Sequence, residues 1–90
     1  MFNHIDYKSG IVKFIDDGDC LKEDLLQVKY PNGFILDVGW YGQKNGFFVY
    51  IIKDCDWENP VAKYSTKSKN EIVFLVLKSI IEVEELCSKV

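Results

Sequence analysis

Two glycine-bearing turns divide the middle of the chain, and they constrain the fold more than any other feature. Pro31-Asn32-Gly33 and Gln43-Lys44-Asn45-Gly46 each separate runs rich in β-branched and aromatic residues. An Asn-Gly pair accepts the positive φ angles that a tight hairpin demands, so each turn reverses the chain. The flanking segments, residues 25–30, 34–41 and 47–53, therefore read as three consecutive antiparallel strands. In the middle segment Phe34, Leu36, Val38 and Trp40 alternate with Ile35, Asp37, Gly39 and Tyr41. That period of two belongs to a sheet with two unlike faces. Residues 61–65, after the Asn59-Pro60 break, are a candidate fourth strand.

A meander must cover its apolar face, and the C-terminal segment has the pattern to do so. Ser68-Lys69-Asn70-Glu71 has capping-box spacing, in which the serine accepts the Glu71 amide and the glutamate reaches back. Beyond it Val73, Val76, Leu77, Ile80, Val83 and Cys87 share one broad helical face, with Glu71, Lys78, Glu82, Glu85 and Lys89 opposite. Near the N-terminus, Ile11, Phe14 and Ile15 follow Ser9 at helical spacing, which predicts a short helix over residues 9–16, with a strand as the rival reading. Ninety residues hold one core and no second domain. The expected fold is a single α+β domain over residues 1–90. It is an antiparallel β-meander of three to four strands, packed by a C-terminal amphipathic helix and preceded by a short N-terminal helix.

Charge and cysteine usage narrow the function classes. There are 14 acids against 11 bases, and every base is lysine. Nucleic-acid binders usually carry a basic face rich in arginine, whose guanidinium forks onto phosphates and base edges. An Arg-free chain of net charge −3 speaks against direct nucleic-acid binding. It suits a basic protein partner, although solubility explains a modest negative charge equally well. No apolar run approaches the ~20 residues of a membrane span, and MFNHIDYKSG is not a signal peptide, so the expected location is the cytoplasm. Cys20, Cys55 and Cys87 are odd in number and far apart, and His4 is the one histidine. Neither a disulfide framework nor a zinc set follows from that spacing, and reduced thiols are expected. No catalytic constellation and no cofactor site are legible, so the expectation is a binding protein rather than an enzyme. A small enzyme using His4 or a cysteine is the remaining catalytic alternative.

Candidate contact residues fall in three places. Asp16, Asp17 and Asp19 flank Gly18 in an acidic turn whose spacing fails the EF-hand pattern, since Lys13 and Ile15 would stand where the first carboxylates belong. Asp37 lies mid-strand with Tyr41 on its face, either as a solvent-side residue or as a recognition carboxylate beside aromatic rings. Asp54, Asp56, Trp57 and Glu58 crowd one turn, where Trp57 is either an interface anchor or a plug for the core edge. Glu82, Glu84 and Glu85 add negative charge near a helix C-terminus, where the macrodipole disfavours it.

The run YPNGFILDVGWYGQKNGFFVYIIKDCDWENP, residues 30–60, followed by a capped amphipathic helix, resembles small bacterial immunity proteins of contact-dependent growth inhibition and related polymorphic-toxin systems. Leu36-Asp37-Val38-Gly39-Trp40-Tyr41 and Asp56-Trp57-Glu58-Asn59-Pro60 carry the likeness. It covers the central third of the chain, and the ends match only in general shape. The resemblance implies a non-catalytic inhibitor that binds a cognate toxin domain, often a nuclease with a basic cleft, and blocks its active site or substrate approach. It implies no cofactor and a monomer or weak dimer when free. It assigns no contact residue by position. A regulatory or adaptor module of another kind shares the same expected fold and acidity.

Overall fold

A computed structural model describes residues 2–16 and 23–89. Among the described residues, five antiparallel strands follow one another in chain order across one sheet: β1 (Ile11–Ile15), β2 (Leu26–Lys29), β3 (Phe34–Trp40), β4 (Phe47–Lys53) and β5 (Ala62–Thr66). One helix, α1 (Lys69–Ser88), lies against β3, β4 and β5. The two central hairpins stand where the turn residues placed them, and β5 realises the candidate fourth strand. Pro31–Gly33 forms a single 3₁₀ turn, with Asn32 and Gly33 at φ 64° and 82°.

The N-terminal helix does not form, and the sheet has five strands rather than three to four. Residues 11–15 are β1, paired with β2, and the ladder slips between Val12 and Phe14. That bulge explains the misleading pattern. An extra residue in a strand advances the side-chain alternation by one, so Ile11 and Phe14 both stand opposite outward-facing partners, Lys29 and Gln27, while Ile15 turns inward opposite Leu26. A spacing of three then imitates a helix. Three of the five residues are β-branched, which favours the strand. Ser9 caps nothing; its amide and hydroxyl both donate to Glu84 on α1, at 2.7 and 2.8–2.9 Å.

The core lies between one sheet face and its cover. Leu26, Val28, Phe34, Leu36, Val38, Phe47, Val49 and Ile51 point into it, as their cross-strand registers require. From α1 it receives Ile72, Val76, Ile80 and Val83, and from the N-terminal segment Phe2 and Tyr7. The Tyr7 hydroxyl donates to the Phe2 carbonyl at 2.7 Å, and Gly10 lets the chain pass against Val28 and Tyr30. The Tyr30 phenol is buried without a hydrogen-bond partner among the described residues, and burial, then Glu84, pushes its pKa up.

The helix begins at the predicted cap, where Ser68 Oγ accepts the Glu71 amide at 3.2 Å. The reciprocal half of the box is replaced: the Ser68 amide donates to Thr66 Oγ1 at 3.1 Å. The buried face is rotated from the sequence expectation toward Ile72 and Ser79, which leaves Leu77 exposed. Ser79 is tolerated inside because its hydroxyl donates to the Leu75 carbonyl one turn back. Ser68→Ala is expected to lower stability by about 1 kcal/mol, the usual loss for an N-cap side chain. Chemical denaturation reads the effect, and an unchanged midpoint would place the true helix start elsewhere.

Candidate binding face

The side of the sheet away from α1 carries the residues with the most unusual environment. Asp37, in the middle of β3, stands opposite Gln27 on β2 and Tyr50 on β4. It is only 8% exposed, so it is not the solvent-side residue that simple alternation allows. Gln27 Nε2 donates to Asp37 Oδ2 at 3.1 Å. Burial raises the Asp37 pKa, the Gln27 bond opposes the rise, and the nearby charge of Asp24 adds to it. A desolvated carboxylate is costly, and one amide donor recovers only part of that cost.

Aromatic rings frame this acid. Phe48 stacks near-parallel to Tyr50 at 5.9 Å and meets Tyr41 edge-on at 5.6 Å. Lys63 from β5 reaches over Phe48 and Tyr50, with its Nζ 5.1 and 5.9 Å from the two centroids. The Tyr41 phenol is also shifted up, first by burial and then by Tyr50, Asp37, Glu23 and Asp24. Glu23 and Asp24 come close because the chain entering β2 crosses directly over Gly39. A Cβ at Gly39 would overlap the Glu23 carbonyl oxygen and lie 2.9 Å from its carbon. The glycine in mid-strand thus marks a close backbone approach, one of its ordinary meanings in a sheet.

The structure separates the remaining candidates. In a meander, alternate connections emerge at opposite ends of the sheet. Asp16, the 23–25 crossing and Tyr41 sit at one end, while the 31–33 and 54–61 connections sit at the other. Strands of seven residues put these ends roughly 20 Å apart. Asp16 and the 54–58 turn therefore do not form one acidic patch. Asp17 and Asp19 lie outside the described residues.

At the far end, the Asp54 amide donates to the Gly33 carbonyl at 2.9 Å, and Asp54 and Cys55 both take positive φ. Asn59 Nδ2 holds Asp56 at 3.3–3.4 Å. Asp54, Asp56 and Glu58 are all exposed. Trp57 is 48% exposed, so it does not plug the core. The C-terminus of α1 joins this end: Asn32 Nδ2 donates to the Cys87 carbonyl at 3.0 Å, and the Cys87 thiol to the Pro31 carbonyl at 3.3 Å. Burial, then Glu84, raises the Cys87 pKa against the pull of Lys53, which disfavours a reactive thiolate. Two of the late helical acids have local partners: Glu84 holds Ser9, and Glu82 accepts from the Tyr64 hydroxyl.

Gln27, Phe48, Tyr50, Lys63, Glu23 and Asp24 were not singled out by sequence reasoning. Counting outward from the two hairpin turns pairs Asp37 with Gln27 and Tyr50, so part of the face was within reach of register arithmetic. The crossing over Gly39 was not, because it brings residues together without pairing them in a ladder. Among the described residues, no three His, Cys, Asp or Glu side chains gather as a metal-binding group, and no helix is long and apolar enough to cross a membrane. No family model matches the chain, and no curated protein or solved structure is similar to it.

Proposed function

We propose that this chain is an immunity-type protein, which seats a basic surface of a cognate toxin domain on the sheet face away from α1 and so occludes the toxin's active site or substrate cleft. The observation that carries this reading is the buried carboxylate of Asp37 within a frame of Tyr41, Phe48 and Tyr50. A partner's guanidinium or ammonium group brought to Asp37 adds the donors that water no longer supplies, beside the cation that Lys63 already holds over Phe48 and Tyr50. Glu23 and Asp24 deepen the negative potential there. A nuclease cleft built to hold phosphates presents such basic groups. The resemblance of residues 30–60 to immunity proteins supports the same reading.

Affinity capture from the native cell, followed by assay of the captured protein, tests it. The expected result is a protein whose activity falls to zero at one equivalent of this chain, with association that slows steeply as salt screens the acids. A captured partner whose activity is unaffected by binding would replace inhibition with an adaptor role. Failure to inhibit any partner sinks the immunity reading. The exposed acids of the far turn act at longer range. Reversing Asp54, Asp56 and Glu58 to Lys is expected to slow association about tenfold and to leave dissociation almost unchanged, as remote charges do. Stopped-flow kinetics on the folded variant separates the two rates. A faster dissociation would place the turn inside the interface.

A further inference from the structure

The outward side of α1 is apolar where an amphipathic helix should be polar. Phe74 is 71% exposed, Leu77 40% and Ile81 62%, and their spacing places them in one stripe along the helix. Beside Ile81 lies a groove of about 370 Å³, lined by Lys8, Ile80, Ile81, Glu84, Glu85 and Ser88. A projecting ring and an apolar groove therefore share one face, about 10 Å apart at 1.5 Å per residue. A two-fold axis between Leu77 and Lys78 carries each ring to the other copy's groove. Such reciprocity is what an isologous interface requires.

One charge pair of α1 suits the same arrangement. Lys67 and Lys69 flank its N-terminus, with Glu71 in the first turn, and Glu82, Glu84 and Glu85 occupy its last turns, where the macrodipole disfavours negative charge. Glu82 and Glu84 have partners within the chain, while Glu85 is exposed beside the groove. An antiparallel copy sets Glu85 opposite Asn70, within a turn of Lys67, and opposes the two helix dipoles.

We infer that the outer face of α1 is a self-association surface, on which a second copy of this chain docks antiparallel with Phe74 in the groove beside Ile81. The contact lies on the opposite side of the sheet from Asp37, so a dimer leaves both copies' Asp37 faces outside the contact, and this inference stands whether or not the immunity reading holds. Sedimentation velocity over a concentration series tests it directly. Wild type is expected to show a monomer–dimer equilibrium. Phe74→Glu and Ile81→Glu, both at exposed positions, should each weaken it by at least about 100-fold, since symmetry doubles every change at the interface. Circular dichroism confirms that the variants are folded. Glu85→Lys should weaken the dimer, and Lys67→Glu added to it should restore association. A wild type that stays monomeric, or a dimer indifferent to both glutamate substitutions, overturns the surface. A double charge swap that fails to restore association overturns the antiparallel order.

Discussion

Gly39→Ala is expected to destabilise the protein by about 3 kcal/mol, the upper part of the range for forcing a methyl into filled space. The reason is local and hard to relieve. The added Cβ meets backbone, the Glu23 carbonyl, rather than the end of a flexible side chain. The crossing segment is itself tied down, because the Leu25 amide donates to the Val38 carbonyl at 3.0 Å and the Asp16 amide to the Leu25 carbonyl at 2.8 Å. Moving Glu23 away strains the pairing of both β1 and β3. For a domain of this size the loss corresponds to a fall of roughly 15 °C in melting temperature. The same shift displaces Glu23 and Asp24 from Asp37 and Tyr41, so partner binding should weaken as well. A variant with unchanged melting temperature would show that the crossing is loosely held.

Asp37→Asn should move stability and binding in opposite directions. The amide keeps the shape and can still bond Gln27, but it removes a charge from a desolvated site. A gain in stability on the order of 1 kcal/mol is expected at neutral pH. The pH dependence has a definite sign. The folded-state pKa lies above the ordinary 3.8, so between the two values the folded protein holds a proton that the unfolded chain has released. Stability from this group is therefore fully present below 3.8 and is lost as pH rises through the folded pKa. The advantage of Asn over Asp should vanish at acid pH, grow across that window and stay constant above it. Melting curves of both proteins at matched pH read the difference directly. Partner binding should fall by at least about 30-fold, through dissociation, because truncating a buried charge contact costs 2 kcal/mol or more. Unchanged affinity in the folded variant would remove Asp37 from the interface and end the proposed mode of recognition.

Much of the sheet was legible along the chain. Asn32-Gly33 and Asn45-Gly46 placed two hairpins, strict alternation over residues 34–40 assigned the inward face of β3, and Ser68 marked the start of α1. Each is a local signal, in which neighbouring residues decide backbone angles or a cap without help from elsewhere. The 9–16 segment was misread because a bulge and a helix both bring every third residue to one side, and only pairing with β2 tells them apart. The inward face of α1 was placed in part, with Val76, Ile80 and Val83 in the core, Val73 and Cys87 packed against it and Leu77 outside, for a related reason. Residues 72–77, Ile-Val-Phe-Leu-Val-Leu, are apolar all round, so periodicity leaves the rotation open and contact with β3, β4 and β5 decides it. The candidate face divides the same way. Asp37 and Tyr41 were legible as polar and aromatic residues on one side of a strand, but the burial of Asp37, its framing by Phe48 and Tyr50, and the crossing of Glu23 over Gly39 depend on segments distant in the chain. Local chemistry determined where this protein turns, pairs and caps. Tertiary structure alone decided which side chains lose their water, because desolvation depends on everything packed around a group and not on its neighbours in sequence.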